Sequence, residues 1–592
     1  MATLGREARG GARQAPSRSG GGGAKGIGLP ASLARRREWR RGARTVDDDV
    51  NVGAERSSSS SSSSSAAAAA AAAVGGGRRT RARDVRGNEE LERHIEYVFD
   101  PTRGETGPVT LPEARVPVGF PAGSYLRNGP NTKYGVGSDH FFDGDGMIHL
   151  VSFLPSGKVS YCNRWVQSTG YKKEKEAGQK LFKGILVNNG VEMLKGIAHN
   201  IIFHGALGTN GTKETTNTAV VSHAGKILAL MEAQKPVRME LVVKDDQLQR
   251  FETAEAGYDF DGMLEGNMTA HPKKDPVTGE MLLFSYDMTS QPHMRYTEVS
   301  ADGQIKHSVG IRDMKRGSMA HDMAITSDHT ILFDLPLEFS FSDMITRNEF
   351  PVQFKKDAQA RLGLIKRGGG TEVQWFDIAR GGNVFHTVNA YNDEGTGEIV
   401  LHALRSEPER SGYVFNEYSP SYLHEWRLNP NTNGVQEKRL GNLGSEFPCI
   451  NPMRQGRKAK FAYMVVDTLL GNLKTWAYPD VGVTYQTFAK VLLDDNDEEG
   501  RRQGEVVSRF DAEEGLYLFE PTFVPSEGSS AEDDGFLVCT ATNPVVDKSF
   551  FLIFDAQNLE KGPLSSIELP EKVCSGLHGK SRKRTSKAHQ RL

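Results

Sequence analysis

Short apolar segments separated by turn residues recur along most of this chain, and they restrict its fold more than any other feature. Each is eight or nine residues long, which is short for a helix, and Gly, Pro, Asn and Asp-Gly lie between them. The clearest are KILALMEA (226–233), EMLLFSYD (280–287), HTILFDLPL (329–337), EIVLHALRS (398–406), FAYMVVDTL (461–469), GFLVCTAT (535–542) and SFFLIFDA (549–556). Helical periodicity is scarce, so the sequence predicts an all-β protein.

The strand-like segments continue from about Glu89 without an obvious domain break. A β-propeller is the natural candidate, because radially arranged blades leave few strand edges exposed. No repeat of about 40 to 50 residues is visible, and the number of blades does not follow from the pattern. A diverged propeller and a pair of β-sandwiches therefore both remain open at this point.

Residues 1–88 have a different composition from the rest of the chain. They contain glycine clusters, a serine run (Ser57–Ser65) and an alanine run (Ala66–Ala73), and such a segment cannot bury a core. Residues 1–46 hold ten Arg and one Lys against two acids, without the apolar region of a secretory signal. We expect a disordered segment that resembles an organelle transit peptide. An unstructured tail without a targeting role is the alternative.

The overall charge and the cysteines exclude several classes of function. A formal net charge of -2 gives no basic field that would attract nucleic acid to the whole molecule. The four cysteines are widely spread without a CxxC pair, so neither a disulfide framework nor a thiolate metal site is indicated. No apolar run of about eighteen residues or more occurs, so no transmembrane helix is predicted.

Four of the sixteen histidines stand out by their context. His271 (TAHP), His321 (MAHDM) and His386 (VFHTVNAY) each lie where polar sequence changes abruptly to apolar sequence, and His578 (SGLHG) lies between glycines. In a propeller, positions at which inner strands begin point toward the central axis, where side chains from separate blades can surround one ion. A metal site and four packed or exposed imidazoles are both compatible with this pattern.

Three glutamates have apolar neighbours and no adjacent cation: Glu232 (ILALME), Glu446 (SEFPCINP) and Glu520 (YLFEPTFVP). Burial of a lone carboxylate is costly, which favours a specific partner. A metal-bound imidazole donates its second N–H to a carboxylate or carbonyl, so a histidine site needs such acids nearby. Outward-pointing glutamates at strand edges are the alternative.

Eleven segments, including those around these residues, carry a family resemblance. They are YLRNGPN (125–131), HFFDGDGMIH (140–149), NRWVQSTG (163–170), TTNTAVVSHAGKILALMEA (215–233), MTAHPKKDPVTGEML (268–282), MAHDMAITSDHTILFDLPL (319–337), FHTVNAY (385–391), EFPCINP (446–452), EPTFVP (520–525), EDDGFLV (532–538) and GLHG (576–579). In type and order they resemble the carotenoid cleavage oxygenases of plants and algae, over roughly residues 89–579.

The resemblance implies a seven-bladed β-propeller with a helical or loop-rich cap over the face that carries the active site. It also implies a non-haem Fe(II) ion held by four histidines, and the matching positions are His271, His321, His386 and His578. Glu232, Glu446 and Glu520 match the acids around those ligands. Three glutamates cannot serve four imidazoles, so one ligand is expected to lack such a partner.

The implied reaction is the addition of O2 across a conjugated double bond of a carotenoid or apocarotenoid to give two carbonyl products. The 9,10 and 9′,10′ bonds are the first expectation, and cleavage of an epoxycarotenoid or an apocarotenal in a hormone-precursor pathway is the alternative. An isomerase, or a carotenoid-binding propeller without turnover, also remains open. No side chain is expected to act as a nucleophile or proton shuttle.

So apolar a substrate must come from a membrane or lipid droplet, and residues 184–208 resemble the family's apolar, membrane-dipping entrance. An ordinary cap helix is the alternative for this segment. The expected location is the chloroplast, in soluble or peripherally membrane-associated form, with the cytoplasm as the alternative. The partners expected are the polyene and O2, without nucleic acid.

The chain departs from the family pattern after GLHG. Residues 580–592 read KSRKRTSKAHQRL. This tail is basic and atypical, and no strand is predicted in it. At this place the family has a short apolar strand that closes the last blade. The expected domains are therefore the segment 1–88, a propeller at 89–579 and the tail at 580–592. A poorly supported His578 would leave metal binding and activity in doubt.

Overall fold

The computed structural model of the protein describes residues 89–135, 140–184, 190–205, 212–232, 234–314, 316–413, 419–466, 484–495 and 497–583. The expectations of a disordered segment and a transit peptide at residues 1–88 lie outside the described residues.

The described strands form seven antiparallel sheets of four or five strands, called blades 1 to 7 in chain order. Blade 1 contains β1 (Val109–Thr110), β2 (Gly123–Pro130), β3 (Gly146–Phe153), β4 (Val159–Trp165) and the C-terminal β33 (Gly579–Lys583). Blade 2 contains β5 (Ala219–His223), β6 (Lys226–Leu230), β7 (Val237–Lys244) and β8 (Gln247–Glu255). Blade 3 contains β9 (Lys273–Lys274), β10 (Met281–Tyr286), β11 (Met294–Val299) and β12 (Ile305–Ile311).

The remaining blades follow the same plan. Blade 4 contains β13 (Ala324–Ile325), β14 (His329–Asp334), β17 (Ala360–Lys366) and β18 (Val373–Ile378). Blade 5 contains β19 (Asn383–Asp393), β20 (Glu398–Ser406), β22 (Ser421–Asn429) and β23 (Gly434–Arg439). Blade 6 contains β24 (Ser445–Cys449), β25 (Phe461–Val466), β26 (Thr487–Leu492) and β27 (Val506–Asp511). Blade 7 contains β28 (Tyr517–Leu518), β29 (Thr522–Pro525), β30 (Gly535–Asn543), β31 (Lys548–Asp555) and β32 (Pro563–Leu569).

A cluster of buried apolar side chains lies between each pair of neighbouring blades, as β10 shows. Met281 and Leu283 pack with blade 2, whereas Leu282 and Phe284 pack with blade 4. Because both faces of the strand are buried, its sequence is apolar at consecutive positions instead of alternating. Burial of each such side chain stabilises the folded state by about 1.5–3 kcal/mol. The segments found in the sequence are therefore strands packed between two blades.

The ring of blades closes between blade 7 and blade 1. Tyr125 and Phe153 of blade 1 share an apolar cluster with Phe536 and Phe551 of blade 7. Seven inter-blade clusters, the last of which joins the two ends of the described chain, make a seven-bladed propeller. The predicted fold class is confirmed, and the alternative of paired sandwiches is excluded.

Strand β33 completes the closure, and it corrects one expectation from the sequence. Residues Gly579–Lys583 pair with β2 in register from Arg127↔Gly579 to Gly123↔Lys583. The prediction of a tail without a strand from residue 580 is therefore wrong for residues 580–583, while residues 584–592 lie outside the described part. Backbone pairing with β2 requires no apolar side chains, which is why the basic sequence gave no strand signal.

Helices lie outside the blades. They are α1 (Glu89–Phe99), α2 (Thr169–Ala177), α3 (Gly190–His204) and α4 (Phe341–Thr346), and short 3₁₀ turns occur at Phe141–Asp143, Pro452–Arg454 and Leu559–Lys561. A small sheet contains β15 (Leu337–Phe339), β16 (Val352–Phe354) and β21 (Gly412–Tyr413). Helix α3 contacts α4 and, through Met193, the apolar core of the small sheet. We call α3, α4 and the small sheet the cap.

None of the described helices is both long and apolar enough to cross a membrane.

Candidate metal centre

The four histidines singled out in the sequence lie together in the structure. One nitrogen atom from each of His271, His321, His386 and His578 lies within 4.8 Å of the other three. The Nε2 atoms of His271 and His321 are 2.9 Å apart. Imidazoles from blades 3, 4 and 5, and from the strand that closes blade 1, therefore converge on a common point.

The local backbone explains why each ring reaches this point. His271 lies two positions before β9, His321 lies three positions before β13, and His578 directly precedes β33. His386 lies within β19, where the pairing with β20 shifts register between Val384 and Thr387. Such a bulge redirects a side chain that regular alternation would place elsewhere.

Three carboxylates hold three of the rings through their Nδ1 atoms. Glu232 Oε1 is 3.0 Å from Nδ1 of His321, Glu446 Oε2 is 2.6 Å from Nδ1 of His386, and Glu520 Oε1 is 2.7 Å from Nδ1 of His578. Each bond fixes the orientation of its ring and leaves Nε2 directed toward the cluster. Among the described residues, no carboxylate is bonded to the ring of His271, so this is the imidazole without an acidic partner.

The glutamates are positioned in their turn by other groups. The Ser421 hydroxyl donates to Glu446 Oε1 at 2.7 Å, and the N–H of Phe447 donates to Oε2 at 3.2 Å. The N–H of Gly579, the first residue of β33, donates to Glu520 Oε2 at 2.5 Å. The C-terminal strand therefore supports both His578 and the glutamate that orients it.

A buried ion pair links the strands that carry the other three histidines. Lys273 Nζ lies 2.7 Å from Asp322 Oδ1, and both the N–H and the hydroxyl of Thr387 donate to Asp322 Oδ2 at 2.8 Å. Burial raises the pKa of Asp322, but Lys273 and Thr387 outweigh it and hold the pKa below its ordinary value. This network joins the neighbours of His271, His321 and His386, and the sequence analysis did not identify it.

The protonation of the cluster follows from burial and nearby charge. Burial, followed by the other three imidazoles, lowers the pKa of His271 well below its ordinary value. Burial also lowers the pKa of His578, and Glu520 offsets this only in part. Burial lowers the pKa of His321 as well, but Glu232 outweighs it and the net pKa is raised. His271 and His578 are thus kept neutral, with lone pairs available to a cation.

The residues fit a divalent metal ion. Nε2 of His386 is buried and has no hydrogen-bond partner within the described part of the chain, a costly state that a bound cation would relieve. Four imidazole nitrogens are a donor set that suits iron, zinc, copper or nickel. The donor set by itself does not select among these metals.

Two aromatic side chains missed in the sequence analysis border the cluster. The Phe447 ring lies 5.3 Å from the ring of His386 and 5.4 Å from that of His578, measured between centroids. Its backbone has a φ of 48°, a left-handed conformation that is costly for a bulky residue. Phe385 lies 5.7 Å from the ring of His321. No sequence pattern distinguishes these rings from ordinary core residues.

A cavity of about 620 Å³ lies between the cap and blades 2 and 3. Its wall includes Met193, Leu194 and Ile197 of α3, Met344 of α4, and Met231, which follows β6. Met231 directly precedes Glu232, so this wall is connected through one peptide bond to the acid that orients His321. Most of the lining is apolar, as is typical of sites for small organic ligands.

Comparison with known proteins identifies the family. A family profile described as "Retinal pigment epithelial membrane protein" matches residues 99–580. The carotenoid 9,10(9′,10′)-cleavage dioxygenase 1 of Arabidopsis thaliana is 34% identical over 505 residues, which cover 81% of this chain and 88% of the relative. This chain is a member of the carotenoid cleavage oxygenase family. The resemblance seen in the motifs, and the enzyme class that it implied, are confirmed.

Two further matches are a sequence relative and a solved structure of the same fold. The chloroplastic 9-cis-epoxycarotenoid dioxygenase NCED1 of Oryza sativa subsp. japonica is 30% identical and covers 80% of this chain and 73% of the relative. The structure of a cobalt-substituted apocarotenoid oxygenase from Synechocystis superposes with a TM-score of 0.67 at 22% identity, and covers 83% of this chain and 99% of that protein. The structural match supports the propeller fold.

Replacement of Glu446 by glutamine tests how far the acids support the imidazoles. We expect the Glu446→Gln oxygenase to lose about 10- to 100-fold in metal affinity or activity, because the amide holds His386 less firmly and does not stabilise it by charge. Metal content after dialysis and the initial rate are the measurements. Glu255→Gln is the control, since Glu255 forms a surface ion pair with Arg238. Equal values for the two variants would contradict a supporting role of Glu446.

Proposed function

We propose that this oxygenase is an Fe(II)-dependent dioxygenase that cleaves a conjugated double bond of a carotenoid or apocarotenoid into two carbonyl products. The observation that carries the proposal is the convergence of His271, His321, His386 and His578 in a member of this family. The structural match from Synechocystis, described in a cobalt-substituted form, supports a bound metal in a protein of this fold.

The four histidines would hold the ion, and Glu232, Glu446 and Glu520 would orient three of them. Because neutral imidazoles contribute no negative charge, they leave the charge of the cation uncompensated. Bound there, ferrous iron supplies the activation of dioxygen for addition to the polyene. The C=C bond and the O–O bond are both broken, two C=O bonds are formed, and both oxygen atoms are incorporated, so no proton or external electron is needed.

The task of the surrounding protein is therefore to position the substrate. Phe447 and Phe385 place aromatic rings against the imidazoles and exclude water from that side of the cluster. The apolar cavity under the cap holds a rigid polyene at a defined depth, which determines which double bond reaches the metal. Regioselectivity is expected to depend on the length and lining of this cavity.

For the bond, we propose the 9,10 and 9′,10′ positions, because the Arabidopsis relative at 34% identity is named for that cleavage. Cleavage of an epoxycarotenoid is the second candidate, favoured by the rice relative at 30% identity. Protein purified and loaded with ferrous iron without oxygen should be given a carotenoid, an epoxycarotenoid or an apocarotenal. Product masses identify the bond, and each trapped carbonyl product should carry one atom from labelled O2.

Two outcomes would reject the proposal. Product without oxygen from O2 would indicate isomerisation instead of cleavage. Failure to retain more than about a tenth of an iron per chain after loading would indicate a carotenoid-binding propeller without turnover.

The cap carries exposed apolar side chains, one of which, Phe341, also lines the cavity. Ile202 and Phe203 of α3 are 73% and 68% exposed, and Phe341 and Ile345 of α4 are also exposed. A soluble protein rarely exposes such side chains together unless they contact a partner or a membrane. We therefore extend the proposal to peripheral contact with a membrane or lipid droplet through this face.

Charge on the exposed end of α3 should abolish that contact. We expect the triple variant Ile201→Asp, Ile202→Asp, Phe203→Asp to lose most of its binding to liposomes in a flotation assay, because buried apolar area drives interfacial binding. Val277→Asp is the matched control, since Val277 is an exposed apolar residue in the turn between β9 and β10. Unchanged flotation of the triple variant would identify α3 as an ordinary cap helix.

We also propose plastid localisation, supported by the chloroplastic rice relative and by the Arg-rich composition of residues 1–46. Fusion of residues 1–88 to a fluorescent protein tests it, and cytosolic fluorescence would favour the alternative.

A further inference from the structure

One tyrosine in the wall of the cavity has a hydroxyl group without a partner. Tyr286 is the last residue of β10, and its ring packs against the apolar cluster between blades 3 and 4. Its N–H donates to Asn267 Oδ1 at 3.2 Å, and Asn267 Nδ2 donates to its carbonyl at 3.1 Å. The backbone is thus held on both sides. Its hydroxyl makes no hydrogen bond to any residue that the structure describes.

The surroundings of Tyr286 keep this hydroxyl protonated. Burial raises the pKa of Tyr286 well above its ordinary value, and the Glu232 carboxylate adds to the effect. The group is therefore available as a hydrogen-bond donor at any physiological pH. Tyr286 and Met231 both line the cavity. Met231 directly precedes Glu232, whose carboxylate is near enough to Tyr286 to raise the pKa of its hydroxyl, so this part of the wall lies on the side of the acid that orients His321.

The amide side chains in the same wall are already engaged by backbone groups. Asn267 is bonded to Tyr286, Gln234 accepts from the N–H of Thr216 and donates to the carbonyl of Lys213, and Gln291 donates to the carbonyl of Met314. These amides shape the wall and have few groups left for a ligand. Tyr286 differs from them, because a half-buried donor with no partner is costly unless a ligand or water satisfies it.

We infer that the Tyr286 hydroxyl donates a hydrogen bond to an oxygen atom of the polyene bound in this cavity, and so selects an oxygenated substrate over a hydrocarbon carotene. The inference rests on the proposed function and specifies its substrate class. A mostly apolar cavity binds any polyene of suitable length, whereas a hydrogen-bond donor at a defined place in its wall sets the orientation of the bound polyene. The oxygen of an aldehyde or a hydroxyl group is an acceptor that a hydrocarbon lacks.

The test measures binding to metal-free protein, so that turnover does not enter. The probes are an apocarotenal and the hydrocarbon that carries a methyl group in place of its aldehyde, titrated against tryptophan fluorescence. We expect the wild type to bind the aldehyde about 10-fold more tightly than the methyl analogue, the effect of one buried hydrogen bond. In Tyr286→Phe the ratio should fall to about 1, with the affinity for the hydrocarbon unchanged.

Tyr422→Phe is the matched control. Tyr422 lies in β22, is also half-buried, and its hydroxyl makes no hydrogen bond within the described part of the chain, but it does not line the cavity. This variant should keep the wild-type ratio. An unchanged ratio in Tyr286→Phe, or an equal loss of affinity for both probes, would overturn the inference. Equal loss would mean that the hydroxyl acts on the wall or on bound water.

Turnover with the iron-loaded protein separates this inference from the proposed function. If both probes are cleaved, and kcat/KM for each probe is the same in the wild type as in Tyr286→Phe, the proposed function is supported and the role of Tyr286 is rejected. Selective, Tyr286-dependent binding of the aldehyde without cleavage of either probe would support the role of Tyr286 and reject the proposed function. Selective binding that accompanies cleavage supports both.

Discussion

Replacement of His321 by alanine is expected to remove the metal ion and with it the cleavage activity. The substitution deletes one of the four imidazoles proposed to bind the metal and leaves the Glu232 carboxylate, which accepts from His321 at 3.0 Å, without its partner. The effect should exceed the roughly 10- to 100-fold losses typical of changes in the groups that surround a ligand. Iron per chain after anaerobic loading, and the rate of product formation, are the two measurements.

The matched control is His329→Ala in the same blade. His329 bonds to Asp328 at 2.9 Å and lies outside the cluster, so this variant should retain both iron and activity. A thermal melt of each variant shows whether the fold is intact. Wild-type turnover by His321→Ala would contradict the assignment of the metal centre.

Removal of residues 579–592 is expected to have the largest effect on stability. It deletes β33, whose five residues pair with β2, and it removes the N–H that Gly579 donates to Glu520. At about 0.5–1.5 kcal/mol per hydrogen bond, and with roughly one bond lost per paired residue, the loss in stability is roughly 3 to 7 kcal/mol. At an unfolding entropy of about 2.1 cal/mol/K per residue, a propeller of roughly 500 residues would then melt about 3 to 7 °C lower. His578 would also become the last residue, without the strand that holds it.

A shorter truncation isolates the contribution of the strand. Removal of residues 584–592 alone keeps all five pairs of β33, so its melting temperature and iron content should match those of the intact chain. If the longer truncation melted at the same temperature as the shorter one, β33 would not contribute to ring closure. A substitution of Gly579 gives a second reading, because a Cβ at this position would lie 2.6 Å from the Tyr125 hydroxyl.

Strand β33 and the position of Tyr286 are two features that the sequence pattern did not predict. The residues KSRK (580–583) show no alternation of apolar and polar side chains. They form a strand because the neighbouring strand β2 pairs with their backbone, which their side chains do not indicate. In the same way, EMLLFSYD predicts a buried strand that ends near Tyr286, but nothing in it shows that Tyr286 lines a cavity. Phe447 and the pair of Lys273 with Asp322 were missed for a related reason, because their partners come from other blades.

The sequence by itself determined the strands, the family and the four histidines that the structure brings together. Apolar runs report burial on both faces directly, and His271, His321, His386 and His578 stand in motifs whose residue types the chemistry requires. The tertiary structure decided how these parts are combined: the seven blades and their closure by β33, and the assignment of Glu232, Glu446 and Glu520 to three particular rings. It also showed that His271 has no acidic partner among the described residues. Such pairings join residues up to 89 positions apart, and only the packing of blades around an axis determines which of them meet.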